Sequence, residues 1–190
     1  MKSRVSALLM VWALLAGIAV AKGSYRVAEK ESKVGFSISH LTNTATGKFT
    51  KFSSQLNFQQ AHPEKSTVSF AVEVASVDTG NSGRDSSLRG DEYFAAAKYP
   101  QMTFESKIFK KVGDNQFMVT GPLTIKGHTK NISVPVTLTK TGVTWATGED
   151  VLTFKAAFVI DRTEFGVGEA SSLLGSEVSI ALNLEFRRAK

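Results

Sequence analysis

Apolar side chains recur at every second position through most of this chain. That period belongs to the extended backbone, whose successive side chains point to opposite faces. Val34, Phe36, Ile38 and His40 share one face, and Lys33, Gly35, Ser37 and Ser39 fill the other. The alternation also runs through Tyr25 and Val27, then Phe52, Leu56 and Phe58, then Val68, Phe70, Val72 and Val74. It returns in Met102, Phe104 and Ile108, in Phe117, Val119, Leu123 and Ile125, and in Ile132, Val134, Val136 and Leu138. Leu152, Phe154, Ala156, Phe158 and Ile160 repeat it, and Val178, Ile180, Leu182, Leu184 and Phe186 close it.

The connections are mostly short, with LTNTATG, AHPEKS, KKVGDNQ and KGHTKN reading as turns. Short connections require antiparallel neighbours, because parallel pairs need long crossovers. About eight such strands imply a barrel or a sandwich. Strands this regular favour an up-and-down barrel, since closure removes the edges that invite aggregation. An eight-stranded barrel either fills with side chains or holds one small ligand.

The rhythm stops for one long stretch, Ser76 to Phe104. Leu88, Tyr93, Phe94 and Ala97, with Asp85 and Asp91 as N-caps, read as one or two short helices covering an end of the barrel.

Lys2 and Arg4 precede an apolar run from Val5 to Val20, and Ala19-Val20-Ala21 supplies a small-x-small cleavage site. Residues 1–21 are therefore expected to be a signal peptide, with one globular domain over residues 22–190. The run is short for a membrane span of about 20 apolar residues. There is no cysteine, so an exported chain of this kind must be held by its core rather than by disulfides. The formal charge of +6 falls to +4 once Lys2 and Arg4 leave with the signal. The remaining lysines are scattered rather than striped, and with export this argues against nucleic acid as a partner.

Few residues suggest chemistry. His40, His62 and His128 have no metal-ligand spacing with carboxylates, and no cofactor is expected. Gly166 and Gly168 read as turn glycines without a phosphate-loop setting, and no G-x-S-x-G elbow appears. Asp161, Arg162 and Glu164 read as a cluster that fixes a loop through charge-assisted hydrogen bonds. Arg84 and Arg89 carry forks suited to a phosphate or carboxylate, although helix capping and pairing with Asp85 also explain them.

Six segments, SKVGFSISH (32–40), TGKFTKF (46–52), SVDTGNSGRDSSLRGDEYF (76–94), YPQMTFES (99–106), VTGPLTIKGHTK (119–130) and IDRTEFGVG (160–168), together resemble the YceI family of exported bacterial lipid-binding proteins. The resemblance implies an all-β fold, an eight-stranded antiparallel lipocalin-like barrel with a short helical insertion capping one end. It further implies a long apolar pore for a polyisoprenoid, isoprenoid quinone or fatty-acid derivative, and a periplasmic location in a Gram-negative bacterium. Tyr25 stands where the family pattern has Trp. Pro122 stands where it has a polar residue, and because proline cannot donate to a ladder a bulge is expected there.

The expected function is that of a periplasmic carrier or sequestering protein, not an enzyme. Phe36, Ile38, Phe52, Phe70, Val72, Phe104, Phe117, Phe154, Phe158, Ile180 and Leu182 are the expected pore lining, their phase taken from the apolar face of each strand. Leu88, Tyr93 and Phe94 are expected to form a lid over the pore mouth, with Arg84 and Arg89 beside the ligand's head group. The expected partner is an amphiphilic lipid; transient membrane contact and a homodimer stay open. Two alternatives also stay open: a packed barrel without ligand acting in envelope stress, and an isomerase with His40 as base in an apolar chamber.

Overall fold

A computed structural model describes residues 23–145, 147–171 and 173–188. The expected signal peptide, residues 1–21, lies outside the described residues. Twelve strand segments form one antiparallel sheet: β1 (Gly23–Val27), β2 (Lys33–His40), β3 (Asn43–Phe49), β4 (Phe52–Phe58), β5 (Thr67–Glu73), β6 (Val77–Asp78), β7 (Gln101–Glu105), β8 (Ile108–Gly113), β9 (Gln116–Ile125), β10 (His128–Val143), β11 (Asp150–Asp161) and β12 (Leu174–Arg188). The one α-helix among the described residues is α1 (Ser82–Arg89).

The segments occupy eight wall positions, because several are halves of one kinked strand. β2 pairs with β3 and β1 with β4, so β1–β2 and β3–β4 make one long hairpin. β5 and β6 continue along β4 and β3, and β7 and β8 both lie along β9. β12 closes the ring: it pairs with β11 on one edge, and on the other with β2 (Val34↔Leu182) and then β1 (Tyr25↔Arg188). The result is the closed eight-stranded antiparallel barrel with one short helix.

The kinks of three neighbouring wall positions coincide, so the backbone groups freed by one are satisfied by the next. The carboxylate of Glu29 accepts the Phe52 N–H. Thr50 N–H donates to the Ser76 carbonyl and Lys51 N–H to the Ser76 hydroxyl. Buried polar backbone requires such partners, and here side chains supply them where the ladder cannot.

Three local expectations are corrected. LTNTATG is a turn only at Leu41 and Thr42; Asn43 onward is already β3, as suits its β-branched threonines. The helix is capped by Asn81, whose side chain accepts the Arg84 N–H, and not by Asp85 or Asp91. Asp85 is buried and accepts the N–H and hydroxyl of Thr79 instead. β9 runs through Pro122 in regular register with Asn131, without a bulge. The neighbouring wall position breaks instead. Thr120 turns its carbonyl to Lys107 between β7 and β8, and Pro122, two residues on, presents the same edge to that gap. No ladder bond is lost there.

The end formed by β1, β4, β8 and the β10–β11 hairpin is filled by phenylalanine. Phe58 meets Phe117 and Phe154 edge-on with ring centres 5.8 and 5.5 Å apart, Phe109 tilts against Phe117 at 5.3 Å, and Phe186 closes on Phe154 at 6.1 Å. The opposite end carries α1 and the loop that follows β11.

Candidate functional site

Above the phenylalanine plug the barrel is hollow. A cavity of about 900 Å³ extends from the plug to the helical end, at the upper end of the roughly 300–1,000 Å³ typical of ligand pockets. The packed-barrel alternative is thereby overturned. The inward faces of the strands form the wall, so its chemistry follows from the alternation of the sequence. Phe36, Ile38, Phe70, Val72, Phe104, Phe154, Phe158, Ile180 and Leu182 all line it.

Phe52 and Phe117 do not. Phe52 faces inward opposite Val72, but its ring is stacked on Phe70 at 5.9 Å, and Phe70 is the one that meets the cavity. Phe117 belongs to the plug, held between the rings of Phe58, Phe109 and Phe154. Alternation sets which face a side chain takes, but not its height along the barrel axis.

The insertion lies over the open end. Leu88, Tyr93 and Phe94 line the cavity, with Phe94 edge-on to Phe49 at 6.0 Å. Arg84 also lines it, with Nε donating to the Thr79 hydroxyl and Nη2 to the Thr79 carbonyl. Arg89 does not reach the cavity. Its guanidinium donates to the carbonyls of Ala75 and Val77, at 2.9 Å each, and ties the end of α1 to β6.

The loop after β11 forms the other side of the mouth and is organised by Arg162, which is 4 % exposed. Nε donates to Gly175, Nη1 to Val167, and Nη2 to Glu169 and Leu174, all backbone carbonyls. Of the expected cluster, Arg162 is the loop anchor and borders the cavity, whereas Glu164 is exposed and pairs with Lys130 instead. Asp161 begins the loop by accepting the hydroxyl and N–H of Thr163, and the hydroxyl contributes most to holding its carboxyl below the usual carboxylate range.

Lys126 carried no expectation and proves to be a junction. It occupies the two-residue β9–β10 turn with Gly127, both at positive φ (49° and 79°), the backbone of a type I′ hairpin. From there Nζ donates to the carbonyls of Glu92 in the insertion and Gly166 in the loop. Gly168 N–H shares the Glu92 carbonyl. KGHTKN was legible as a turn, which the structure confines to Lys126 and Gly127; what the lysine reaches was not.

The ionisable residues on the cavity wall are His40, Arg84, Glu92, Tyr93, Arg162 and Glu169. Two guanidinium groups thus stand against two carboxylates. Among the described residues, no group of three or more His, Asp or Glu side chains is placed to hold a metal ion. His40 stands at the mouth, its backbone paired with Asn43 and its imidazole without a hydrogen-bond partner among the described residues.

Residues 25–186 match the YceI-like domain. A UPF0312 protein of Azotobacter vinelandii is 30 % identical over 190 residues, covering 97 % of both chains. One of Ectopseudomonas mendocina is 34 % identical over 137 residues, covering 70 % of this chain and 71 % of its own. Among solved structures, Burkholderia cenocepacia BcnA superposes with a TM-score of 0.77 at 32 % identity, covering 84 % of this chain and 98 % of that one. A polyisoprenoid-binding domain from Saccharophagus degradans shares the fold, with a TM-score of 0.70 at 17 % identity over 88 % of this chain and all of its own. A domain match over nearly all the described residues, carried on the same closed barrel, places this chain in the YceI family.

Proposed function

We propose that this protein holds one long-chain, uncharged amphiphile in its barrel, a polyisoprenoid or isoprenoid-quinone-like lipid, and acts as a periplasmic carrier or sequestering protein rather than an enzyme. The observation that carries the reading is the cavity itself, apolar along the strands, stopped at one end by phenylalanine and open at the other. A cavity of about 900 Å³ has room for a long hydrocarbon chain. Each buried methylene is worth roughly 0.8 kcal/mol, so apolar contact alone supports tight binding.

The balance of charge at the mouth favours a neutral head with an oxygen acceptor over a carboxylate or phosphate, since a charge taken from water without a partner is costly. The shared fold of a polyisoprenoid-binding domain and the signal-like N-terminus support the same reading. Native mass spectrometry of protein purified from its own host, followed by lipid extraction, tests the proposal. A discrete lipid adduct is expected; an empty barrel that also refuses added prenyl alcohols removes the idea.

A further inference from the structure

Two leucines stand exposed at the open end. Leu41 is 59 % exposed and Leu173 57 %, and they are neighbours, with the Leu41 N–H donating to the Leu173 carbonyl at 2.8 Å. Leu173 also borders the cavity, with Ala170 and Leu174 on the same wall. The apolar lining therefore continues out of the cavity onto the surface at this point.

The backbone of Leu41 is a second, independent observation. It takes the first place of the two-residue turn between β2 and β3, where His40 pairs with Asn43, and its φ is 54°. That left-handed conformation disfavours a bulky apolar residue and is ordinarily given to glycine or asparagine. No burial compensates, because more than half of the side chain meets solvent. Outliers of this kind cluster where a side chain is held for function.

We infer that the Leu41–Leu173 rim docks the open end of the barrel on a lipid bilayer, with both side chains inserted among the acyl chains. This rests on the lipid-binding reading of the cavity, which also identifies the partner. A cargo whose chain is expelled by water has to be exchanged with the phase that dissolves it. A rim in contact with that phase makes the apolar path continuous. The polar rim residues, Thr42, Asn43 and Ser171, are uncharged, and the cavity wall carries Arg84 and Glu169, one of each sign. Docking should therefore occur on zwitterionic bilayers and depend little on salt.

The test is transfer of a fluorescent long-chain prenyl alcohol from phosphatidylcholine vesicles to the protein, beside delivery of the same lipid from detergent micelles. In the Leu41→Asn variant, whose side chain lies outside the cavity wall, transfer from vesicles should slow by about tenfold, while binding from micelles is unchanged. The same variant should leave the melting temperature equal or higher, because asparagine tolerates the turn conformation. Equal vesicle transfer by both proteins overturns the proposal, as does a melting temperature that falls in step with transfer. If neither protein takes lipid from micelles, the lipid-binding reading fails and docking falls with it.

Discussion

Arg162 shows how much one side chain can hold when its geometry is planar and forked. Its four carbonyl partners span Val167 to Gly175, and a lysine, with one nitrogen, cannot reach them together. Arg162→Lys should therefore cost about 3 kcal/mol or more of stability in denaturant titration, hydrogen bonds to a charged group being worth about 1.5–3 kcal/mol each. A loss no larger than that of an ordinary surface change would refute its role as anchor. Phe94 presents the opposite case, a half-buried ring facing the cavity. Phe94→Asp should weaken lipid retention more than it lowers the melting temperature, and equal loss of both would make the insertion ordinary core. The apolar identity of Phe94 and the fork of Arg162 were both legible in the sequence. Arg162's acceptors were not, since they are backbone groups assembled only when the loop folds around it.

The insertion and the loop after β11 both pack on the core, through Leu88, Tyr93 and Phe94 and through Phe165 and Val167, and one side chain also ties them together. Lys126 links the β9–β10 hairpin, the insertion after α1 and the loop after β11 through two carbonyls. Lys126→Met should raise hydrogen exchange in residues 90–98 and 163–168 together while leaving β10 and β11 protected; exchange confined to one segment would show that the junction is not shared. The start of the same loop responds to acid. Asp161 has its folded pKa lowered by the Thr163 hydroxyl and N–H, and Asp78 by the Gly80 N–H and then Lys48. A carboxyl depressed in the folded state adds stability that is present above its unfolded value of about 4 and is lost as pH falls through the lower folded value. Acid titration of Asp161→Asn should therefore show a shallower loss of stability below about pH 4 than the parent protein; parallel curves would exclude the linkage.

In the proposed lipid-binding role chain length matters, because the phenylalanine plug sets a floor beneath the cavity. Affinity for prenyl alcohols should rise with length and level off once the chain fills the cavity, as read by competition binding. Leu182→Phe, on the wall, should move that plateau to shorter chains. At equal length the alcohol should bind at least about tenfold tighter than the diphosphate, and a preference for the diphosphate would contradict the neutral mouth. The strand count and closure at this scale were readable from alternation and short turns. The division of eight wall positions into twelve segments was not, because the kinks depend on neighbouring strands breaking at the same height.

The sequence by itself determined an antiparallel barrel, most of the side chains that face inward, and which single stretch leaves the pattern, because a period of two and short connections are local properties of the chain; past the kink between β7 and β8 the phase turns over, leaving Ile108 exposed and Phe109 buried. It could not tell Phe70 on the cavity wall from Phe52 stacked behind it, nor Arg84 at the mouth from Arg89 tied to β6. Those distinctions depend on height along the barrel and on contacts between segments far apart in the chain. Only the tertiary structure sets those, by packing five phenylalanines into one end and leaving the other hollow.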